Sequence, residues 1–310
     1  MKNFTPPDIS LPPASEDDLR IGHLLGRRVE GRNPPRAVLV GFPSDEGVRR
    51  AGGQVGASAG PSAIRRQLYP LTPDGQNPGF RELVERVQDL GDLILSGEVE
   101  QDQELLGVAI APYLKENILV IVLGGGHDAT VGHFLGHVHA RRNLDMLAWD
   151  AHPNLRQPIN GLAHSQSVFR QILTHPSQCC RQLSVAGLQP HQTSSTHLDY
   201  ISNRNGRYYW KKSLTREQVD EIYSGADSRL MVSFDLDAVE QSQAPAVSIP
   251  NCDGLSASLW LQAAQRAGKC TQVASIDLVE LNPALDPDGR TARLAALTVW
   301  RFLAGLVDRY

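Results

Sequence analysis

The chain has 310 residues, of which 41% are hydrophobic and 21% are charged, and its formal net charge is −4. This balance is ordinary for a globular protein with a large core, and the lack of a basic block argues against a nucleic-acid partner. No apolar run reaches the length of a membrane span, and the proline-rich N-terminus lacks the apolar segment of a signal peptide. The four cysteines form neither a disulfide framework nor a paired zinc motif, so a cytoplasmic location is expected.

Residues 1–35 are rich in proline and charge and are predicted to form an N-terminal arm, followed by one domain over residues 36–310. In that domain, short apolar runs predict strands at 36–42, 118–123, 144–149, 183–188, 229–234 and 272–278. Helical spacing predicts helices at 63–68, 98–115, 167–173, 195–202, 215–223, 256–267 and 291–307, and one more after residue 129. This alternation predicts a single-domain α/β fold, a doubly wound parallel sheet with helices on both faces.

Polar residues follow three of the predicted strands, at the edge of a parallel sheet where ligands bind. The three segments read GGGH (124–127), DAHPN (150–154) and DLD (235–237). In an extended segment, residues i and i+2 point to the same side, so Asp150 converges with His152, and Asp235 with Asp237. We expect these strands to be neighbours, which would bring the four side chains and His127 into one crevice.

So many carboxylates in one crevice cannot all stay ionised without cations. Each segment alone has an ordinary explanation, such as a loop histidine or a helix-capping aspartate, and only their combination is informative. Carboxylates with a minority of imidazoles and no thiolate suit hard or borderline divalent metals, with Mn²⁺ favoured over Zn²⁺.

A different interpretation is a dinucleotide-binding loop. GGGHDA (124–129) matches the pattern G-x-G-x-x-A between a strand and a helix, and Asp150 follows about twenty residues later. However, the match lies in the middle of the chain, and it leaves His152, Asp235 and Asp237 without a role. The metal-site interpretation is therefore preferred.

The ordered segments GGGH (124–127), DAHPN (150–154), SFDLD (233–237) and VELNP (279–283) resemble those of the arginase–agmatinase–formimidoylglutamase superfamily. The resemblance extends from about residue 38 to the C-terminus and implies the family's three-layer αβα fold. GFPSDEGVRR (41–50), the third glycine of GGGH, GLQP (187–190) and DPDGRTARLAAL (286–297) are similar to the formimidoylglutamase branch in particular.

The resemblance implies two Mn²⁺ ions that activate a water molecule for attack on the sp² carbon of an amidine or guanidine. Asp150 and Asp235 would each bridge both ions, His127 would complete one ion, and His152 with Asp237 the other. Glu280, the acid of VELNP, would hold the cationic nitrogens of the substrate and is a catalytic candidate together with Asp150 and Asp235.

For the formimidoylglutamase branch, the expected reaction converts N-formimidoyl-L-glutamate to L-glutamate and formamide, a step of histidine degradation. The dicarboxylate end of this substrate requires cationic or N–H partners. Arg49 and His164 are the predicted substrate-binding residues, and Arg156 and Arg170 are further candidates near the motifs. The resemblance also implies a homo-oligomer, a trimer or a hexamer.

The chain departs from the family pattern at several positions near the predicted site. The third acid of DAHxD is Asn154, a neutral ligand, so one of the two metals is expected to bind more weakly. HSQSV (164–168) stands where the family has HGTP or SGTP, AGGQ (51–54) stands where the branch has NGGR, and Ala246 replaces a glycine.

These departures leave two other functions open. One is hydrolysis of another guanidino compound, such as agmatine or guanidinobutyrate. The other is a metal-poor, non-catalytic homologue that acts as a binding protein.

Overall fold

Nine strands form one sheet in the part of the chain that the computed structural model describes, residues 3–15, 17–29 and 33–309. They are β1 (Phe4–Thr5), β2 (Ala37–Phe42), β3 (Val87–Leu93), β4 (Leu119–Gly124), β5 (Leu144–Trp149), β6 (Cys180–Leu188), β7 (Arg207–Trp210), β8 (Leu230–Asp235) and β9 (Val273–Val279). The order across the sheet is β1-β3-β2-β4-β9-β8-β5-β6-β7. Strand β1 pairs antiparallel with β3, and the other pairs are parallel.

The helices lie between the strands along the chain. They are α1 (Ile21–Leu24), α2 (Glu46–Arg50), α3 (Gly60–Leu68), α4 (Pro78–Val84), α5 (Val99–Lys115), α6 (Ala129–His139), α7 (Val168–Thr174), α8 (Ser195–Ser202), α9 (Arg216–Ser224), α10 (Ala257–Lys269) and α11 (Arg290–Val307). Within the described ranges, none of them has both the length and the apolar character needed to cross a bilayer.

The sheet is the middle layer of three. Alternate residues of β2 and β4 enter different apolar clusters: Leu39 and Ile121 pack with α3, α4, α10 and α11, whereas Val38 and Val120 pack with α5. A further cluster joins α6 and α7 to β5 and β6. Burial on both faces explains why the central strands are apolar throughout instead of alternating with polar residues. The predicted α/β fold, a doubly wound parallel sheet with helices on both faces, is confirmed.

The six predicted strands are confirmed with small shifts at their ends, and so are the predicted helices. The sequence interpretation missed β1, β3, β7, α1, α2 and α4. Strand β3 carries Asp89 and Asp92, which are unusual in a strand of the sheet. Both carboxylates pair with the guanidinium of Arg65, which is only 1% exposed. These ion pairs join residues far apart in the chain, so no local sequence pattern indicates that Asp89 and Asp92 can lie in a strand.

The N-terminal arm takes part in the sheet, since Phe4 and Thr5 pair with Leu93 and Asp92. Residues 1, 2, 16 and 30–32 of the arm lie outside the described residues. The division of the chain at residue 35 stays a prediction.

Candidate metal centre

The carboxyl ends of four adjacent strands, β4, β9, β8 and β5, bring the predicted residues to one edge of the sheet. His127 follows β4, Glu280 follows β9, Asp235 ends β8 and Asp150 follows β5. The expectation that the three motif strands are neighbours is wrong for β4, because β9 lies between β4 and β8. As a result, Glu280 at the end of β9 lies between His127 at the end of β4 and Asp235 at the end of β8.

His127, Asp150 and Asp235 form the most compact group of candidate ligands. One ligand atom from each of the three residues lies within 4.8 Å of the others, and all three side chains are buried. The Nδ1 atom of His127 is 2.8 Å from Asp235 Oδ2 and 3.6 Å from Asp150 Oδ2. Two carboxylates and an imidazole that converge in this way can hold a divalent cation.

His152 and Asp237 extend this group on one side. His152 Nδ1 is 3.4 Å from Asp150 Oδ1 and 3.9 Å from Asp237 Oδ2. The chain turns at both positions instead of continuing extended, since the His152 N–H donates to Asp150 Oδ1 (2.7 Å) and the Asp237 N–H donates to Asp235 Oδ1 (2.9 Å). The predicted convergence occurs, but aspartate turns produce it rather than the alternation of an extended strand.

Asn154 lies against the His127 group. Its Nδ2 atom donates to Asp150 Oδ2 at 2.7 Å and lies 3.0 Å from His127 Nδ1. In this arrangement the amide N–H groups face the atoms that a cation would use. For the oxygen of Asn154 to become a ligand, the amide has to turn over, so Asn154 joins the cluster as a hydrogen-bond donor.

Glu280 lines the cavity and has a backbone conformation with φ of 70°, which L residues rarely adopt. Its Oε1 atom accepts a hydrogen bond of 2.7 Å from the backbone N–H of His127, whereas Oε2 is buried without a partner among the described residues. Burial, followed by the charge of Asp235, raises the pKa of Glu280 to about 7. A cationic group in the cavity would supply the missing partner.

The charges of the cluster are not balanced by protein groups alone. Burial and the neighbouring acids raise the pKa values of Asp235 and Asp237. Burial works against the charged form of His127, but Asp235 and Asp150 outweigh it and raise the pKa of the imidazole to about 10. Because the acids repel one another, the cluster takes up protons more readily than isolated acids do, and divalent cations would stabilise it for the same reason. Most of its donor atoms are oxygens, which suits Mn²⁺.

Asp128 is a buried acid next to the site that the sequence analysis did not single out. Both of its carboxylate oxygens lack a hydrogen-bond partner among the described residues. Burial, followed by the charge of Glu280, raises its pKa to about 7. The glycine at position 47 leaves room for it, because a Cβ atom there would lie 2.4 Å from the carboxylate. Its signal in the sequence was the acid immediately after GGGH.

A cavity with about 330 Å³ of empty space opens above the cluster. Five candidate ligands and Glu280 line it, and the remaining walls come from three other segments of the chain. These contribute Val48, Ala51, Gly53, Ser165, Gln166, Ser248 and Ile249. The segments AGGQ and HSQSV, which depart from the family pattern, are therefore parts of the cavity wall.

Arg49 and His164 do not line this cavity. Arg49 is exposed and pairs with Glu46, at 2.6 Å from Nε to Oε2. His164 is buried, with Nε2 2.9 Å from the Gln157 carbonyl oxygen and Nδ1 accepting from the Gln166 N–H. Both ring nitrogens of His164 therefore contact backbone groups of its own loop. The substrate contacts of Arg49 and His164 stay a prediction.

Arg156 lies at a second cavity, of about 520 Å³, which shares His152, Asn154, Gln166 and Ile249 with the first. Arg170 instead donates to the Leu155 carbonyl oxygen and stacks on the ring of Tyr200. Of the four predicted basic residues, only Arg156 borders this extension of the site.

The raised pKa values predict how the stability of the metal-free protein changes with pH. Glu280 and Asp128 ionise near pH 7 in the folded protein but at lower pH when the chain is unfolded, so the folded state binds more protons between these values. The free energy of unfolding should therefore fall as pH rises from about 4.5 to about 7. Thermal unfolding in chelator would measure this fall, and added Mn²⁺ should reduce it. Rising stability of the metal-free protein over this range would contradict the prediction.

Comparison with known proteins gives three findings. The model of the arginase family matches residues 35–305. The formimidoylglutamase of Geobacillus thermodenitrificans is 34% identical over 278 residues, which is 84% of this chain and 81% of that protein. That of Nocardia farcinica is 31% identical over 299 residues, 93% of each chain.

Among solved structures, a crystal structure of Trypanosoma cruzi formiminoglutamase with Mn²⁺ superimposes with a TM-score of 0.85 at 27% identity. The similarity covers 94% of this chain and 99% of that one.

Proposed function

The chain belongs to the arginase family, and from this premise we propose that it is a manganese-dependent hydrolase of N-formimidoyl-L-glutamate. The products would be L-glutamate and formamide. The observation that carries the proposal is the buried His127–Asp150–Asp235 group beside the partnerless Oε2 of Glu280. Near full-length similarity to formimidoylglutamases supports the choice of substrate.

The metal residues would be His127, Asp150 and Asp235 for one ion, with His152, Asn154 and Asp237 completing the set. When bound, paired divalent cations supply an activated water and a Lewis acid at neutral pH. Asn154 and its hydrogen bond to Asp150 make the site less anionic than an all-acid set. We therefore propose that one of the two ions is held more weakly.

Glu280 would hold the amidinium of the substrate. Oε1 of this residue is already used by the His127 N–H, so Oε2 is the atom available to an N–H group of the ligand. A charge-assisted hydrogen bond at a buried carboxylate is strong and directional, and it would orient the sp² carbon over the His127 group. Water attack at this carbon, followed by cleavage of its bond to the glutamate nitrogen, yields the two products once the nitrogen gains a proton.

The second cavity would accept the glutamate part of the substrate. It continues from the first past Asn154 and Gln166 and is bordered by Arg156, Ser194 and His197. A guanidinium and the N-terminus of α8 suit a carboxylate. By contrast, Val48, Ala51 and Gly53 form a wall of the first cavity that offers no charged side chain.

We further propose that the protein works in the cytoplasm as a homo-oligomer, a trimer or a hexamer. The cysteines at positions 179, 180, 252 and 270 are all unbridged, as a reducing compartment would have them. Sedimentation of the metal-loaded protein would test the assembly.

The test of the function is a substrate panel with the Mn²⁺-loaded protein. Formimidoylglutamate, arginine, agmatine and guanidinobutyrate are compared, with formamide and urea as separate readouts. We expect formamide from formimidoylglutamate and at least about a hundredfold lower kcat/KM for the guanidines, because the buried polar groups that recognise one substrate end are left unpaired by another. Turnover of a guanidine alone would replace the proposed substrate, and turnover of none together with absent Mn²⁺ binding would favour a non-catalytic binding protein.

A further inference from the structure

A row of buried polar side chains lies directly beneath His127, on the side away from the cavity. Ser233 Oγ is 3.3 Å from His127 Nε2, and it donates to Asp277 Oδ1 at 2.6 Å. Asp277 Oδ2 is 2.8 Å from Nδ1 of His133, which belongs to α6. Ser233, Asp277 and His133 are each 0% exposed, so solvent cannot replace any of these contacts.

The directions of these hydrogen bonds follow from proton counting. A carboxylate has no hydrogen to donate, so the single hydroxyl hydrogen of Ser233 points to Asp277. Ser233 can then act only as an acceptor toward its other neighbours. His127 Nε2 must therefore carry a hydrogen, as must Thr130 Oγ1, which lies 3.3 Å from the same oxygen.

The same hydrogen bonds decide which nitrogen of His127 has a lone pair that faces the cavity. With hydrogen on Nε2, the neutral ring has its lone pair on Nδ1, the atom that faces Asp235 and Asp150. A metal-binding histidine needs this lone pair, and its second nitrogen commonly donates to an oxygen that fixes the ring.

Resting on the proposed function, we infer that Ser233, Asp277 and His133 are positioning residues that hold His127 with Nδ1 free for a cation. Strand pairing supports the assignment, because Ser233 and Asp277 are register partners on β8 and β9. His133 supplies the second hydrogen bond that keeps the Asp277 carboxylate in place. None of the three residues lines the cavity.

The chain contains a matched control one turn of α6 further on. There, His137 Nε2 is 2.8 Å from Ser275 Oγ, on the same helix and on β9, also at 0% exposure. This pair has the same chemistry as Ser233 with its histidine, but among the described residues it is hydrogen-bonded to neither His127, Ser233 nor Asp277. Removing the Ser275 hydroxyl therefore measures the cost of losing a buried hydroxyl–imidazole contact outside the hydrogen bonds that hold His127.

The experiment is a titration of the metal-free protein with Mn²⁺, followed by the EPR signal of the free aqueous ion. We expect Ser233→Ala to weaken the binding of one Mn²⁺ by about tenfold to a hundredfold. Asp277→Asn should weaken binding in the same direction. The control Ser275→Ala should stay within about twofold of wild type, because the Ser275 hydroxyl contacts His137 and not His127.

Thermal unfolding of all variants in chelator separates positioning from general stability. The inference requires that Ser233→Ala and Ser275→Ala unfold at similar temperatures while only the first loses Mn²⁺ affinity. Equal affinities of Ser233→Ala, Asp277→Asn and wild type, or an equal loss in Ser275→Ala, would overturn it. If wild type hydrolyses formimidoylglutamate and the affinities are equal, the positioning role alone fails; if the affinity pattern appears without turnover, the proposed function alone fails.

Discussion

Asp235→Asn is expected to lower kcat/KM for formimidoylglutamate by about three powers of ten and to remove tight Mn²⁺ binding. Asp235 is the acid closest to the His127 imidazole, at 2.8 Å from Nδ1, and its second oxygen accepts from the Asp237 N–H. The amide of asparagine would keep the volume but lose the negative charge on which cation binding depends. Metal analysis of the purified variant and steady-state kinetics in Mn²⁺ would measure both effects.

The matched control for this substitution is Asp199→Asn, at an exposed position of α8. This change removes the same charge without touching the cluster, and both Mn²⁺ content and kcat/KM should remain within about twofold of wild type. Asp235→Asn protein that keeps full turnover would show that the reaction does not depend on this cluster.

Asn154→Asp is expected to strengthen the weaker Mn²⁺ site by about a hundredfold, since ligand charge sets the affinity for such ions over several orders of magnitude. The same change should destabilise the protein without metal. The amide hydrogen bond to Asp150 is lost, and a further carboxylate is placed beside Asp150 and His127. The variant should therefore unfold at a lower temperature in chelator and at a higher temperature in Mn²⁺ than wild type.

These opposite shifts of the unfolding temperature in chelator and in Mn²⁺ distinguish a metal ligand from a residue that does not bind the ion. Asn203→Asp, at the exposed C-terminal end of α8, is a suitable control because it adds the same charge far from the cluster. Similar shifts in both variants would indicate a general charge effect. Unchanged Mn²⁺ affinity in Asn154→Asp would show that position 154 contributes no ligand atom.

Much of the site was predictable because its residues follow buried strands. GGGH, DAHPN and DLD each come directly after an apolar run, and the C-terminal ends of parallel strands share one edge. His127, Asp150 and Asp235 converge because β8 pairs with β5 and only β9 separates β4 from β8. The substrate contacts predicted for Arg49 and His164 rest only on their closeness to the motifs along the chain, and they stay a prediction.

The local contacts of these two residues have specific physical causes. Arg49 has an acid one helical turn away, Glu46, and an exposed guanidinium pairs readily with such a neighbour. His164 stands before a short turn, where its ring nitrogens are within reach of backbone groups. Nothing in the composition of these segments distinguishes a substrate contact from a local one.

By itself, the sequence determined the strand–helix alternation, the edge of the sheet that carries the chemistry and the identity of the candidate ligands. These depend on local patterns, on hydrophobic periodicity and on the residues that follow each strand. Only the tertiary structure decided that β9 inserts between β4 and β8, that Arg65 pairs with both Asp89 and Asp92 within the fold, and that Asp277 contacts Ser233 beside His127. Each of these depends on contacts between residues far apart in the chain, and such contacts are set by how the layers pack.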